Sequence, residues 1–86
     1  MTQKIKQALQ QAVQHEKQGH WQAAHQIVQA LEHRVAYWLH AYLHRKEGDH
    51  QNARYWYNKA EIPVCEHLLS TELEELVVAI DELDTE

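Results

Sequence analysis

The sequence predicts an all-α fold, a compact bundle of about five helices, and three observations lead to that prediction. Apolar residues recur at intervals of three and four along most of the chain, which is the spacing of one-sided helices. Two Gly and one Pro in 86 residues are too few for the frequent turns of a β-sandwich. Residues that favour helices, such as Ala, Gln, Glu and Leu, are abundant. A chain of this length is expected to hold a single domain, residues 1–86.

The first two helices form a pair joined at Gly19. Along the first helix, apolar residues repeat at helical spacing, namely Ile5, Ala8, Leu9, Ala12 and Val13. Gly19 is expected to end this helix, because glycine adopts the left-handed conformation of a helix C-terminus without strain. The second helix is predicted from about His20 to His33, and its apolar stripe consists of Trp21, Ala24, Val28 and Leu31.

The third helix, from about Val35 to Glu47, has little polar face, so we expect it at the centre of the bundle. Gly48 and Asp49 then have the sequence of a helix stop followed by an N-cap. Such a short joint predicts that the fourth helix, about His50 to Ala60, packs antiparallel to the third.

Pro63 predicts a break before the last helix, because the residue preceding a proline is disfavoured in a helix. An acidic C-terminal helix is expected at about 67–84, and Thr71 and Glu74 have the spacing of a capping box at its start. One face of this helix is apolar, so we expect it to cover the apolar surface that the preceding helices leave exposed.

An internal repeat relates the two helix pairs. Gly19, Ala24, Val28 and Leu31 are followed 29 residues later by Gly48, Ala53, Tyr57 and Ala60. A turn glycine followed by small and large packing positions resembles the second half of a tetratricopeptide repeat. Residues 1–33 and 35–61 are therefore predicted as tetratricopeptide-like antiparallel helix pairs, with the C-terminal helix as a cap. The usual period of this repeat is ~34 residues. Because the period here is shorter, a regular superhelix with its concave groove is not expected to follow directly from the repeat.

Residues 38–60 contain a long composite motif. It consists of His-Ala-Tyr-Leu-His-Arg at 40–45, Glu-Gly-Asp at 47–49, Asn-Ala at 52–53 and Tyr-Trp-Tyr at 55–57. Together with Trp21, Ala24 and His25 upstream, the motif resembles a family of small, mostly microbial proteins of unassigned function. The resemblance implies a helical bundle of tetratricopeptide character, and it implies no particular activity.

Charge and composition limit the classes of partner and the cellular compartment that are expected for this chain. Residues 1–60 carry eight basic and four acidic groups, which gives a net charge of +4. Residues 61–86 carry nine acidic groups and no Lys or Arg, which gives −9 and a total of −5 for the chain. The basic residues are scattered, so we expect no nucleic-acid partner. No signal peptide opens the chain, and no apolar run approaches the ~20 residues that span a bilayer. With one cysteine, Cys65, the chain is expected in the cytoplasm without a membrane partner.

Eight histidines in 86 residues raise the question of a metal site. His40 and His44 lie four residues apart and therefore share one face of the third helix. His25 on the neighbouring helix and Glu47 are candidates for the third and fourth ligands of zinc or another transition metal. The same histidines could instead be half-buried side chains that hydrogen-bond carbonyls or Tyr hydroxyls. No other cofactor is expected, and no catalytic residue is assigned, because no nucleophile lies near these histidines in the sequence.

Aromatic and basic side chains on the third and fourth helices are of the types found in protein-binding hot spots. The candidate set is Trp38, Tyr42, Arg45, Arg54, Tyr55 and Trp56. Tyr55, Trp56 and Tyr57 are consecutive, so they cannot all face inward; the alternative is that the rings cover the seam beneath the C-terminal helix. The leading hypothesis is a non-enzymatic helical interaction module that binds another protein as an adaptor or itself as a homodimer. The alternative is a histidine-based metal-binding or hydrolytic protein.

Overall fold

Five α-helices account for the secondary structure of residues 2–83. The computed structural model describes the backbone of these residues and the side chains of residues 4–83. The helices are α1 (Thr2–Lys17), α2 (Trp21–Gln29), α3 (Arg34–Lys46), α4 (His50–Ala60) and α5 (Leu69–Asp81). The described part of the chain contains no strand, so the all-α prediction is confirmed.

Two glycine turns join the helices into pairs, as the sequence predicts. Gly19, between α1 and α2, has φ +82°, and Gly48, between α3 and α4, has φ +90°. Residues with a Cβ rarely adopt this left-handed conformation. Asp49 is the N-cap of α4, where its carboxylate accepts a hydrogen bond of 3.2 Å from the backbone N–H of Asn52. These turns position α2 against α1 and α4 against α3.

Helix α5 begins within two residues of the predicted start near residue 67, but without the predicted cap. Helix α4 ends at Ala60, and Glu61 follows in the left-handed conformation with φ +63°. Helix α5 begins at Leu69, after Leu68, whose side chain forms no capping hydrogen bond. Thr71 is already inside the helix, so the predicted capping box of Thr71 and Glu74 is wrong. The apolar side chain of Leu69 packs against the core, which places the helix start earlier than the polar spacing suggests.

Helix α3 lies at the centre of the fold, where it contacts α2, α4 and α5. Its buried residues are Ala36, Leu39, His40, Ala41, Tyr42, Leu43 and His44. A fully buried leucine such as Leu39 or Leu43 contributes roughly 1.5–3 kcal/mol of transfer free energy. The expectation that this nearly all-apolar helix is central is confirmed.

Helix α5 covers apolar side chains of α1 and α3, and its Leu76 and Ile80 are buried in the same core as Leu9 and Leu39. A second, smaller cluster joins α3 to α4 through Ala41, Ala53 and Tyr57. The two alanines remove side-chain bulk between the helices, so that the ring of Tyr57 is enclosed.

The repeated positions have closely related environments in the two helix pairs. Ala24 and Ala53 are both buried, and so are Val28 and Tyr57. Leu31, the last position of the first unit, is only half-buried. Burial therefore follows the 29-residue pattern at its first two packing positions, whereas tetratricopeptide-like stacking of the units stays a prediction. None of the described helices has the length and apolar character that a membrane-crossing segment needs.

Candidate metal centre

Helices α2 and α3 bring three histidines together. His40 and His44, one turn apart on α3, are 3% and 6% exposed, and His25 reaches them from α2 in a half-buried position. The ring centroids lie 4.6 Å apart for His25 and His40, 5.1 Å for His25 and His44, and 4.9 Å for His40 and His44. One nitrogen of each ring lies within 4.8 Å of the other two. We call this group the histidine site.

Two tryptophans enclose the histidine site. The indole of Trp21 stacks on His25 with a centroid distance of 4.8 Å and an interplanar angle of 9°. The indole of Trp56 stacks on His40 at 3.9 Å and 13°. Trp21 is itself fixed, because its Nε1 donates a hydrogen bond of 2.8 Å to the carbonyl of Leu43. The indoles therefore pack against the flat faces of the His25 and His40 rings.

Glu47, the predicted fourth ligand, lies next to His44, and its role as a ligand stays a prediction. Nδ1 of His44 donates to the Glu47 carboxylate over 2.7 Å, and Glu47 does not belong to the group of donors formed with His25 and His40. A neutral histidine that donates through Nδ1 keeps its lone pair on Nε2. Carboxylates commonly orient metal-bound histidines in this way. In neutral His44, the contact with Glu47 favours the tautomer whose Nε2 can bind a metal.

The surroundings keep two of the histidines in the form that binds metals. Burial, followed by the nearby His25 and His44 rings, lowers the pKa of His40 to about 3. Burial and His44 also lower the pKa of His25, and Glu47 partly opposes this shift. A neutral imidazole has the free lone pair that a metal requires, whereas an imidazolium does not. In addition, Nδ1 of His40 is buried without a hydrogen-bond partner.

The geometry is close to what a tetrahedral metal needs. Bonds of about 2.0–2.1 Å to imidazole nitrogen place tetrahedral donors ~3.4 Å apart, whereas the nitrogens here lie within 4.8 Å of one another, so they need to approach by up to ~1.4 Å. Three imidazoles leave at least one coordination position for water. Side-chain rotation can supply such a movement without displacing the helices.

The structure divides the predicted protein-binding residues into two groups. Tyr42 is buried and donates a 3.0 Å hydrogen bond to Glu16. Trp38 and Arg45 both donate to Glu72, over 3.1 Å and 2.5 Å. Burial of Tyr42 corrects the expectation that it forms part of an exposed surface, whereas Trp38 and Arg45 are half-buried and their binding of a partner stays a prediction.

The other members of the set face solvent. Arg54 is exposed, Tyr55 is 56% exposed and Trp56 is half-buried against His40. Lys59 places its Nζ 5.2 Å from the Trp56 ring centroid and 6.0 Å from that of Tyr55. Binding of a partner by Arg54, Tyr55 and Trp56 stays a prediction.

Sequence reasoning missed two buried carboxylates. Glu72 of α5 is 0% exposed, and its oxygens accept hydrogen bonds from Trp38, from Arg45 and, over 2.5 Å, from the hydroxyl of Tyr57. Burial and the hydrogen bond to Glu72 raise the pKa of Tyr57, so its hydroxyl stays a donor. Glu16 accepts from Tyr42 and from Lys46.

The sequence does contain a pattern that indicates burial of both carboxylates. Glu72 precedes the buried Leu76 and Ile80 by four and eight residues, and Glu16 follows Leu9 by seven, so each lies on the buried face of its helix. A charged residue in phase with an apolar stripe predicts a buried ion that needs partners.

Comparison of the chain with protein-family models, with curated proteins and with solved structures gives no match. The resemblance of residues 38–60 to a small helical family therefore stays a prediction. Function is inferred from the residues and contacts of this chain alone.

Proposed function

We propose that this protein binds a divalent transition metal through His25, His40 and His44. The observation that carries the proposal is the approach of one nitrogen from each ring to within 4.8 Å of the others. His25 comes from a different helix and lies 15 residues before His40, so sequence proximity does not explain the approach. Of the two functions expected from the sequence, metal binding is the one that the geometry favours.

The chemistry of the donors indicates the class of metal. Imidazole nitrogen suits Zn²⁺, Cu²⁺, Ni²⁺ and Co²⁺, whereas Mg²⁺ and Ca²⁺ require oxygen ligands. The neutral state of His40, together with the hydrogen bond from His44 to Glu47, supports ligation without a large prior cost in deprotonation. Affinity is expected to rank Cu²⁺ above Zn²⁺ and Ni²⁺ above Co²⁺.

A bound metal would link α2 to α3 and so stabilise the folded state. A ligand at a hundred times its Kd adds about 2.7 kcal/mol to the free energy of unfolding. For a domain of this size each kcal/mol raises the melting temperature by about 4–8 °C. We therefore expect Zn²⁺ or Ni²⁺ to raise the melting temperature of metal-free, untagged protein by roughly 10–20 °C at that concentration.

Substitutions separate this site from general binding of metals by surface histidines. His40→Gln and His44→Gln should abolish the stabilisation by Zn²⁺, because each removes one of only three ligands. Glu47→Gln should weaken binding about 10–100-fold, the usual effect of removing a carboxylate that orients a ligand. His50→Gln is the matched control, since His50 is exposed and outside the histidine site. Its stabilisation by Zn²⁺ should equal that of the unmodified protein.

The stacked tryptophans provide a direct optical test. Cu²⁺ quenches indole fluorescence at short range, and Trp21 and Trp56 are in contact with His25 and His40. Quenching should saturate with Cu²⁺ in the unmodified protein and in His50→Gln, and should be largely lost in His40→Gln. Equal quenching and equal thermal stabilisation in His40→Gln and His50→Gln would refute the proposed function.

A second candidate function, binding of another protein or of a second copy of the chain, is supported by the 56% exposure of Tyr55 beside the exposed Arg54. Tyr and Arg are enriched in binding hot spots, and helix pairs with tetratricopeptide-like spacing would suit an adaptor. Light scattering over a range of concentrations tests self-association. Tyr55→Ser should lower any associated fraction, whereas Asn58→Ser, on the exposed side of α4, should not. If the protein is monomeric at every concentration, the hypothesis of a homodimer is refuted.

A further inference from the structure

The segment between α4 and α5 brings a second set of metal-binding side chains together, on residues that the histidine site does not use. Cys65 and His67 lie in this segment, and Glu75 reaches them from the second turn of α5. One donor atom from each of the three lies within 4.8 Å of the other two. We call this group the cysteine site.

Cys65 and the backbone of His67 are held by contacts with the rest of the fold. Cys65 is half-buried and packs, with Ile62, against the cluster that contains Tyr57. The carbonyl of His67 accepts a hydrogen bond from Arg45, which anchors the segment to α3. Nδ1 of His67 pairs with the Glu75 carboxylate over 2.9 Å. The fold therefore positions Cys65 and the backbone of His67, and the pairing of His67 with Glu75 brings the other two donors together.

The environment of the thiol has opposing effects on the thiolate form. Burial raises the pKa of the Cys65 thiol above its usual range, and a backbone hydrogen bond from His67 partly opposes this shift. An N–H group directed at sulfur stabilises the thiolate, which is the form that binds a metal. When a metal binds, the thiol releases its proton to solvent and a metal–sulfur bond forms.

The cysteine site is accessible from solvent. It borders an open groove of about 560 Å³ whose apolar wall includes Trp38, Ile62 and Val64. The groove provides an entry path for an ion, and it leaves room for water to complete the coordination of a metal held by three side chains.

From these contacts we infer that Cys65, His67 and Glu75 form a second metal site, distinct from the histidine site, for a borderline-soft divalent ion such as Zn²⁺, Co²⁺ or Cd²⁺. Sulfur, nitrogen and oxygen are all donors for Zn²⁺, and thiolate selects against Mg²⁺ and Ca²⁺. A bound ion would fix the segment 61–68, which has no helix of its own, to α5.

Because the chain has a single cysteine, the test has an unambiguous signal. Co²⁺ bound to a thiolate gives sulfur-to-metal charge-transfer absorption in the near ultraviolet, and Co²⁺ bound by imidazoles alone does not. The probe is Co²⁺ added to reduced, metal-free, untagged full-length protein. The band should appear in the unmodified protein and be absent in Cys65→Ser. It should persist in His40→Gln, so failure of the histidine site does not affect the result.

Affinity separates a three-ligand site from a thiol acting alone. His67→Gln and Glu75→Gln should each weaken the Co²⁺ affinity read from the band by at least about tenfold. Glu66→Gln is the matched control, because Glu66 is an exposed carboxylate beside Cys65 that lies outside the donor group. Zn²⁺ should also slow alkylation of Cys65 in the unmodified protein and in Glu66→Gln. Absence of the band, or an unchanged affinity in both His67→Gln and Glu75→Gln, would overturn the inference.

Discussion

Replacing Glu72 should be one of the most damaging single substitutions in this chain. Its carboxylate is 0% exposed and accepts hydrogen bonds from Trp38, Arg45 and Tyr57, so it joins α3 and α4 to α5. Glu72→Gln keeps the shape but removes the charge, and it leaves Arg45, whose side chain is 15% exposed, without a counter-ion. Breaking a buried pair in this way costs about 3–5 kcal/mol. At 0.05–0.15 kcal/mol per residue the whole domain has only ~4–13 kcal/mol of stability.

Urea denaturation followed by far-ultraviolet circular dichroism measures this loss. Glu74→Gln is the matched control, because Glu74 is an exposed carboxylate on the same helix, and its effect should stay within about 0.5 kcal/mol. The double variant Arg45→Met/Glu72→Met should recover part of the loss, since removing both charges leaves neither ion buried alone. If Glu72→Gln costs less than about 1 kcal/mol, the hydrogen-bonded carboxylate does not hold the helices together as argued.

Three smaller effects involve His40, Gly48 and Asp49. His40 should reduce the free energy of unfolding of the metal-free protein by about 2 kcal/mol between pH 7.5 and pH 5, because the unfolded chain takes up a proton near pH ~6.5 while folded His40, with a pKa of about 3, does not. The lowered pKa of His25 adds to this loss. Urea denaturation at both pH values should show a smaller loss in His40→Gln, and an equal loss would contradict the assignment. Gly48→Ala should cost about 1 kcal/mol in the same assay, entirely from the φ of +90°, since no atom lies within 4 Å of an added Cβ. Asp49→Ala removes the α4 cap and should cost ~1 kcal/mol.

Local chemistry explains why the helix boundaries could be predicted at some ends and not at others. Gly48 and Asp49 act through their own backbone conformation and a bond three residues away, so their roles are readable without knowledge of the rest of the fold. The start of α5 instead depends on the packing of Leu69 against distant helices. A capping-box spacing at Thr71 and Glu74 carries no information about that tertiary contact, which is why it misled.

The distinction between local and tertiary determinants also explains which residues of the candidate sites could be predicted. His40 and His44 share a face because of helix periodicity alone, and His25 joins them because α2 and α3 are consecutive and packed together. Tyr42 and Arg45, in contrast, donate hydrogen bonds to carboxylates of α1 and α5, which are distant in the sequence. The same aromatic and basic residue types occur at partner-binding surfaces and around buried carboxylates. Composition alone therefore could not distinguish a binding surface from an interior hydrogen-bond network.

The arrangement of polar groups around α3 relates the two proposed metal sites to each other. His44 belongs to the histidine site, whereas the adjacent Arg45 points the other way, to Glu72 and to the carbonyl beside the cysteine site. Successive residues of a helix are about 100° apart, so two neighbours on one rigid element can serve opposite faces without touching. Because the shared element is the most buried helix of the fold, a metal at either site would stabilise the same packed core. Occupying both sites should therefore raise the free energy of unfolding by nearly the sum of the separate effects, and a sum far from additive would show that α3 moves when one site is filled.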